Sequence, residues 1–106
     1  MEARLVADGL QLGESPRWHD GRLHLSDWGA RRLLAIDDAG RAETLATIDA
    51  IPFSFDFLPD GRMALLAGTT VSIRRPDGGF ARHADLTHLS AKPWNEIVAD
   101  AAGRLY

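Results

Sequence analysis

His24, Ser26 and Asp27 are the side-chain types of a hydrolytic triad, in which a histidine activates a serine to attack an acyl carbon. A triad needs three groups that converge from separate segments of the chain. These three instead stand within one stretch of alternating apolar and polar residues, a pattern that predicts a single β-strand. The sequence therefore does not predict a serine hydrolase.

Metal sites built on cysteine or histidine are also not indicated. The chain has no cysteine, and His19, His83 and His88 lack the short spacing of metal-binding histidine motifs. The remaining chemistry belongs to carboxylate and amide oxygens, which suit hard cations such as Ca²⁺ and Mg²⁺. By themselves, however, Glu14 is most simply a solvated loop carboxylate and Asn95 a turn residue that satisfies backbone groups.

A repeat of about 40 residues sets the elements that position these side chains. Asp20-Gly21-Arg22 returns 40 residues later as Asp60-Gly61-Arg62, and after 42 more as Ala102-Gly103-Arg104. A second turn series, Asp38-Ala39-Gly40-Arg41 and Asp77-Gly78-Gly79-Phe80, alternates with the first at an offset of 39 residues. Short alternating apolar runs flank the turns, a pattern typical of β-hairpins.

Each repeat predicts four short antiparallel strands, which is the size of one β-propeller blade. The predicted strands are 14–18, 22–27, 31–36 and 41–47 in the first unit, 53–57, 62–67, 70–75 and 79–84 in the second, and 96–100 and 104–106 in a third. The predicted fold class is all-β, a partial β-propeller of about two and a half four-stranded blades. Residues 1–106 form part of one domain, with blade 1 at about 14–47, blade 2 at about 53–84 and the start of blade 3 at about 95–106. A β-sandwich is the alternative, but it does not predict an internal period of 40 residues.

Composition limits the partners. The net charge is only −3 and no basic stripe appears, so nucleic acid is not an expected partner. No apolar run approaches the roughly 18 residues of a membrane-spanning helix, so no membrane association is expected. A cytoplasmic protein is the simplest expectation, although a removed signal peptide would leave the same composition.

Three segments carry a resemblance to a known family. They are Gly13-Glu14-Ser15-Pro16-Arg17-Trp18 in the first unit, Phe57-Leu58-Pro59-Asp60-Gly61-Arg62 in the second, and Pro93-Trp94-Asn95-Glu96 at the start of the third. With these segments the chain resembles the start of the gluconolactonase, senescence-marker-protein and luciferin-regenerating-enzyme family. The resemblance covers essentially the whole chain, and the Gly-Glu-Ser-Pro-x-Trp segment is its most specific part.

The resemblance implies a six-bladed propeller that hydrolyses sugar lactones with the help of one divalent cation. Ca²⁺ is the first expectation for this ion, and Zn²⁺, Mn²⁺ and Mg²⁺ are the alternatives. It implies that Glu14 is a metal ligand and that Asn95 contacts the substrate or a metal-bound water. The other ligands are expected beyond Tyr106, so the chain is expected to be an N-terminal portion that is inactive alone. Its expected partners are a sugar lactone and either the remaining blades or other copies of the chain. The alternative is a non-catalytic propeller that binds a small ligand or regulates another protein.

One position departs from the family pattern, which has Asn-Asp where this chain has Asn95-Glu96. Glu14 precedes Gly21 by seven residues, and Glu96 precedes Gly103 by seven. Glu96 is therefore the repeat equivalent of Glu14. Adjacent residues of a strand point to opposite faces, so the sequence leaves open whether Asn95 or Glu96 faces the channel of the expected propeller.

Overall fold

The computed structural model describes residues 1–106 and confirms the predicted all-β class. Eight strands form two four-stranded antiparallel sheets, each with its strands in chain order, and there is no helix. The first sheet contains β1 Gly13–His19, β2 Arg22–Asp27, β3 Arg32–Ile36 and β4 Ala42–Thr47; the second contains β5 Phe53–Phe57, β6 Met63–Ala67, β7 Thr70–Arg74 and β8 Phe80–Asp85. Every observed strand end lies within one residue of its predicted position. The structure thus contains no helix with the length and apolar character that a bilayer crossing requires.

The hairpin predicted for the third repeat unit, here the third hairpin, is shorter than expected. Val98 and Tyr106 exchange two backbone hydrogen bonds of 2.9 Å, and Ala99 forms an isolated antiparallel bridge with Leu105. The prediction of strands over 96–100 and 104–106 is corrected to this single bridge, because only residues 98–99 and 105–106 pair in strand register.

Four hairpin turns share one backbone pattern, which begins at Asp37, Leu58, Arg75 and Asp100. In each turn the first residue donates its N–H to the carbonyl four residues later, and a glycine donates back to the first residue. These glycines have φ values of 80° to 88°, a region that disfavours side chains. The turn at Asp20 and Gly21 differs, since both residues have positive φ and His19 pairs directly with Arg22.

This difference corrects the sequence comparison of the Asp-Gly-Arg turns. Asp20-Gly21 forms a two-residue hairpin turn of the I′ kind, whose twist matches its strands. Asp60-Gly61 instead lies in the longer loop between Phe57 and Met63, which pair across the hairpin. The same Asp-Gly-Arg sequence therefore occurs in loops of two lengths, because strand register and loop length are linked in a hairpin.

The two sheets repeat one another in an irregularity as well as in strand order. Between β3 and β4 the register shifts at Leu33 and Leu34, and Leu45 is the extra residue opposite them. Between β7 and β8 it shifts at Val71 and Ser72, and His83 is the extra residue. A β-bulge in the same hairpin of both sheets indicates that the chain repeats one structural unit.

Each of the two compact units, Met1–Thr47 and Ile48–Tyr106, has its own apolar cluster. The first contains Leu25, Leu34 and Ile36, with Ala7 and Leu23 packed against them. The second contains Leu66, Val71 and Ile97, with Ala84, Leu86, Trp94 and Leu105 around them. In β3 the consecutive residues Leu33, Leu34 and Ala35 are at most 1% exposed, so both faces of this strand are covered.

Candidate functional site

A β-bulge deforms the first strand at the Gly-Glu-Ser-Pro segment. Glu14 pairs with Ser26 and Arg17 pairs with His24, which leaves Ser15 and Pro16 opposite the single residue between them. Ser15 is buried and has a φ of 50°, which is uncommon outside glycine. A residue before proline is further restricted toward extended backbone. Strained bulges of this kind occur next to active sites, where they change the direction of a side chain.

Glu14 and Ser26 share one face of the first sheet, because they are direct cross-strand partners. The Glu14 side chain is half-buried. Ser26 is 0% exposed, and its Oγ has no hydrogen-bond partner. A buried hydroxyl without a partner calls for an explanation such as a bound ion or water. The bulge therefore places a carboxylate and an unsatisfied oxygen side by side.

A second polar contact joins β5 to the start of the third hairpin. Ser54 stands seven residues before Gly61, which is the repeat position of Glu14 and Glu96. The wholly buried Ser54 hydroxyl donates a hydrogen bond to Oε1 of Glu96. The Ile97 N–H lies 3.3 Å from Ser54 Oγ and 3.2 Å from Glu96 Oε1. Ser54 and Glu96, which occupy the same repeat position 42 residues apart, are thus hydrogen-bonded to each other.

Ser54 is not among the site residues predicted from the sequence. The signal that could have found it was the repeat register itself, since Ser54 lies seven residues before its turn glycine as Glu14 and Glu96 do. Asn95 is exposed and takes no part in the hydrogen bonds around Ser54 and Glu96. Glu14 belongs to the first compact unit and Asn95 to the second. The role of Glu14 as a metal ligand and the role of Asn95 in contacting the substrate or a metal-bound water stay predictions.

Asp56 attaches the third hairpin to β5. Its Oδ2 accepts the N–H of Ala99 at 2.8 Å, and its Oδ1 accepts the N–H of Phe57 at 2.8 Å. The first of these contacts joins the same two elements as the Ser54–Glu96 hydrogen bond. Asp56 therefore helps to hold the segment that contains Glu96 against β5.

Asp100 acts as a turn residue. Its Oδ1 accepts N–H groups from Ala102 and Arg104 at 2.9 Å, and Oδ2 pairs with the Arg104 guanidinium at 2.7 Å. Asp37 makes the same contacts with Ala39 and Arg41. The backbone N–H of Arg104, then its side chain, holds the pKa of Asp100 below its usual range. These bonds occupy the carboxylate in stabilising the turn.

The triad side-chain types on β2 do not form a triad. His24 is buried, burial lowers the pKa of its imidazole, and Nδ1 lies 3.3 Å from the Arg22 carbonyl oxygen. Ser26 lies on the same face as His24, whereas Asp27 points to the opposite face. Asp27 accepts N–H groups from the residues before β1 instead. His24 and Asp27 are held by separate contacts, and the Ser26 hydroxyl is bonded to neither of them.

The chain holds no group of three or more His, Asp or Glu side chains that could by itself bind a metal ion. No protein-family model matches the chain, and no curated protein matches it. The family resemblance therefore remains a hypothesis that rests on the quoted sequence motifs.

Proposed function

We propose that this chain forms the first blades of a six-bladed β-propeller that hydrolyses sugar lactones with the help of one divalent cation. The observation that carries the proposal is the strained bulge of the Gly-Glu-Ser-Pro segment, which sets Glu14 beside the unsatisfied Ser26 hydroxyl. The same segment is the most specific part of the resemblance to the gluconolactonase-like lactonases.

The propeller part of the proposal has its support in the repeat. Two successive four-stranded meanders have equivalent bulges in their last hairpins, and a third hairpin begins after them. Four antiparallel strands in about 40 residues are typical of one propeller blade.

The oxygen ligands that Glu14 and Ser26 offer are of the type that a hard cation prefers, but they are too few to complete its coordination. Glu14 would supply a carboxylate oxygen, and Ser26 would supply a neutral oxygen that has no other partner. Ca²⁺ takes six to eight oxygen ligands, so further ligands are expected from residues outside this chain. A cation held in part by Glu14 and Ser26 would supply Lewis-acid chemistry, since a divalent ion can polarise a lactone carbonyl and lower the pKa of a bound water.

The chain's own residues have two tasks in this proposal. Glu14 contributes a negative charge that offsets the charge of the cation, and its half-buried position limits screening by salt. Asn95 offers an amide that can donate to the lactone oxygen and accept from a hydroxyl group. Hydrolysis then adds water across the acyl C–O bond and opens the ring to a hydroxy acid.

The proposal is tested by lactone hydrolysis with the complete protein that carries this sequence. D-Glucono-δ-lactone is supplied at neutral pH, and the released acid is followed in a pH-stat before and after chelation and after the addition of Ca²⁺, Zn²⁺, Mn²⁺ or Mg²⁺. We expect turnover that stops on chelation and returns with one of these ions. Lactone binding without turnover would instead support the non-catalytic propeller, and neither binding nor turnover would contradict both functions.

Residues 1–106 alone are expected to bind Ca²⁺ and Mn²⁺ weakly and to leave sugar lactones intact. The reason is that Glu14 is the one anionic ligand assigned to this part of the site, while a tight site needs several oxygens. Isothermal titration calorimetry measures the affinity directly. A stoichiometric micromolar site would show that the ligand set is complete within these residues, against the proposal.

A further inference from the structure

Glu96, which lies just before the third hairpin, is held in place by two hydrogen-bond donors. The Ser54 hydroxyl donates to its Oε1, and the Ile97 N–H lies 3.2 Å from the same oxygen. Ser54 lies in β5 and is fully buried, so the packing around it holds its hydroxyl group in place. Glu96 itself is an exposed residue, and its Oε1 has a fixed anchor.

Glu96 occupies the same repeat position as Glu14, the proposed cation ligand. It stands seven residues before its turn glycine, as does Glu14 before Gly21. Residues at one position of a repeated blade occupy corresponding places in the architecture. Asn95, one residue earlier, lacks this equivalence and takes no part in the Ser54 hydrogen bond.

The chemistry of a carboxylate then indicates what Glu96 binds. An ionised carboxylate has acceptor sites for about four hydrogen bonds and no donor, so it can accept from hydroxyl groups. A sugar lactone carries several hydroxyl donors, whereas its ring carbonyl and ring oxygen can only accept. Charge-assisted hydrogen bonds are roughly twice as strong as neutral ones, so such a residue discriminates strongly between hydroxylated and plain rings.

We propose that Glu96 is a specificity-determining residue that accepts hydrogen bonds from the hydroxyl groups of a polyhydroxylated lactone, and that Ser54 positions it. This inference rests on the proposed function and extends it to the choice of substrate. Ser54 positions Glu96 because its hydroxyl proton is donated to Oε1, which restricts the rotamers of the longer side chain. The carboxylate is then already ordered when the substrate arrives, which lowers the entropic cost of binding.

The test compares two six-membered lactones that differ in their hydroxyl groups, D-glucono-δ-lactone and δ-valerolactone, with the complete protein. Glu96→Gln keeps the size of the side chain and its acceptor for Ser54 but removes the charge. We expect KM for the hydroxylated lactone to rise about tenfold, with KM for δ-valerolactone changed less than about twofold and kcat nearly unchanged for both.

The Ser54 variants separate positioning from packing. Ser54→Ala is expected to raise KM for the hydroxylated lactone about threefold, because the carboxylate loses its anchor. Ser54→Thr retains the hydroxyl and should recover most of that loss. Glu43→Gln is the matched control, since Glu43 is an exposed carboxylate that pairs with Arg22 on the first sheet; it should change neither KM.

The outcomes distinguish this inference from the proposed function. If the wild-type protein hydrolyses both lactones and Glu96→Gln leaves the ratio of their KM values unchanged, the specificity role is wrong and the lactonase proposal stands. Equal increases of both KM values would likewise overturn it. If the wild-type protein hydrolyses neither lactone, the proposed function fails and the role of Glu96 fails with it.

Discussion

Replacement of Glu14 by glutamine is expected to lower the affinity of the complete protein for its divalent cation about a hundredfold. Glutamine retains the size of the side chain and one oxygen but removes the negative charge that offsets the cation. Lactone hydrolysis at micromolar metal should fall with the affinity, and it should recover in part at high metal concentration. The fold should persist, because Glu14 belongs to neither apolar cluster.

The measurement is lactone hydrolysis titrated against metal, with calorimetric metal binding as an independent readout and circular dichroism as the folding control. Asn95→Ala is the matched comparison. Its metal midpoint should stay close to that of the wild type while turnover falls, because an amide that contacts the substrate or a metal-bound water does not carry the charge of the site. A Glu14→Gln protein with normal turnover and a normal metal midpoint would exclude Glu14 as a ligand.

Replacement of Asp27 by alanine is expected to destabilise the protein by about 3 kcal/mol. Asp27 is 0% exposed and accepts the N–H groups of Gln11, Leu12 and Ala30 at 3.0 to 3.3 Å. It also lies 3.4 Å from a guanidinium nitrogen of Arg32. Alanine would leave these donors without their acceptor and would release the segment that precedes β1. Urea unfolding followed by circular dichroism measures the loss.

The pH dependence of the same variant provides a second measurement. Burial alone would raise the pKa of Asp27, but hydrogen bonds from Leu12, Gln11 and Ala30 and the Arg32 side chain together hold it below its ordinary value of 3.8. The carboxylate therefore contributes stability above pH 3.8 and loses it as the pH falls through the lower pKa of the folded state. The difference in unfolding free energy between wild type and Asp27→Ala should shrink over that window.

Glu43→Ala is the control for these unfolding experiments. Its carboxylate pairs with Arg22 at 2.6 Å, yet both side chains are exposed, and exposed ion pairs contribute little to stability. The loss should be much smaller than that for Asp27→Ala. Equal losses for both variants would show that Asp27 does not anchor the segment before β1.

The sequence by itself determined the strands and the repeat. Asp-Gly turns and alternating apolar residues place both ends of all eight strands within one residue, because a hairpin depends on neighbouring residues and on glycine at positive φ. The chemistry of Glu14 followed from sequence only through the family resemblance. By its residue type alone, Glu14 is most simply a solvated loop carboxylate.

Only the tertiary structure decided which polar groups meet. The carboxylate of Asp27 reaches backbone N–H groups 15 and 16 residues earlier, and the hydroxyl of Ser54 reaches Glu96 across 42 residues. The bulge at Ser15 likewise arises from the pairing of β1 with β2, which skips a residue between Glu14 and Arg17. Such contacts depend on strand register and on how distant segments pack, and neither is encoded in the local preferences that place a strand or a turn.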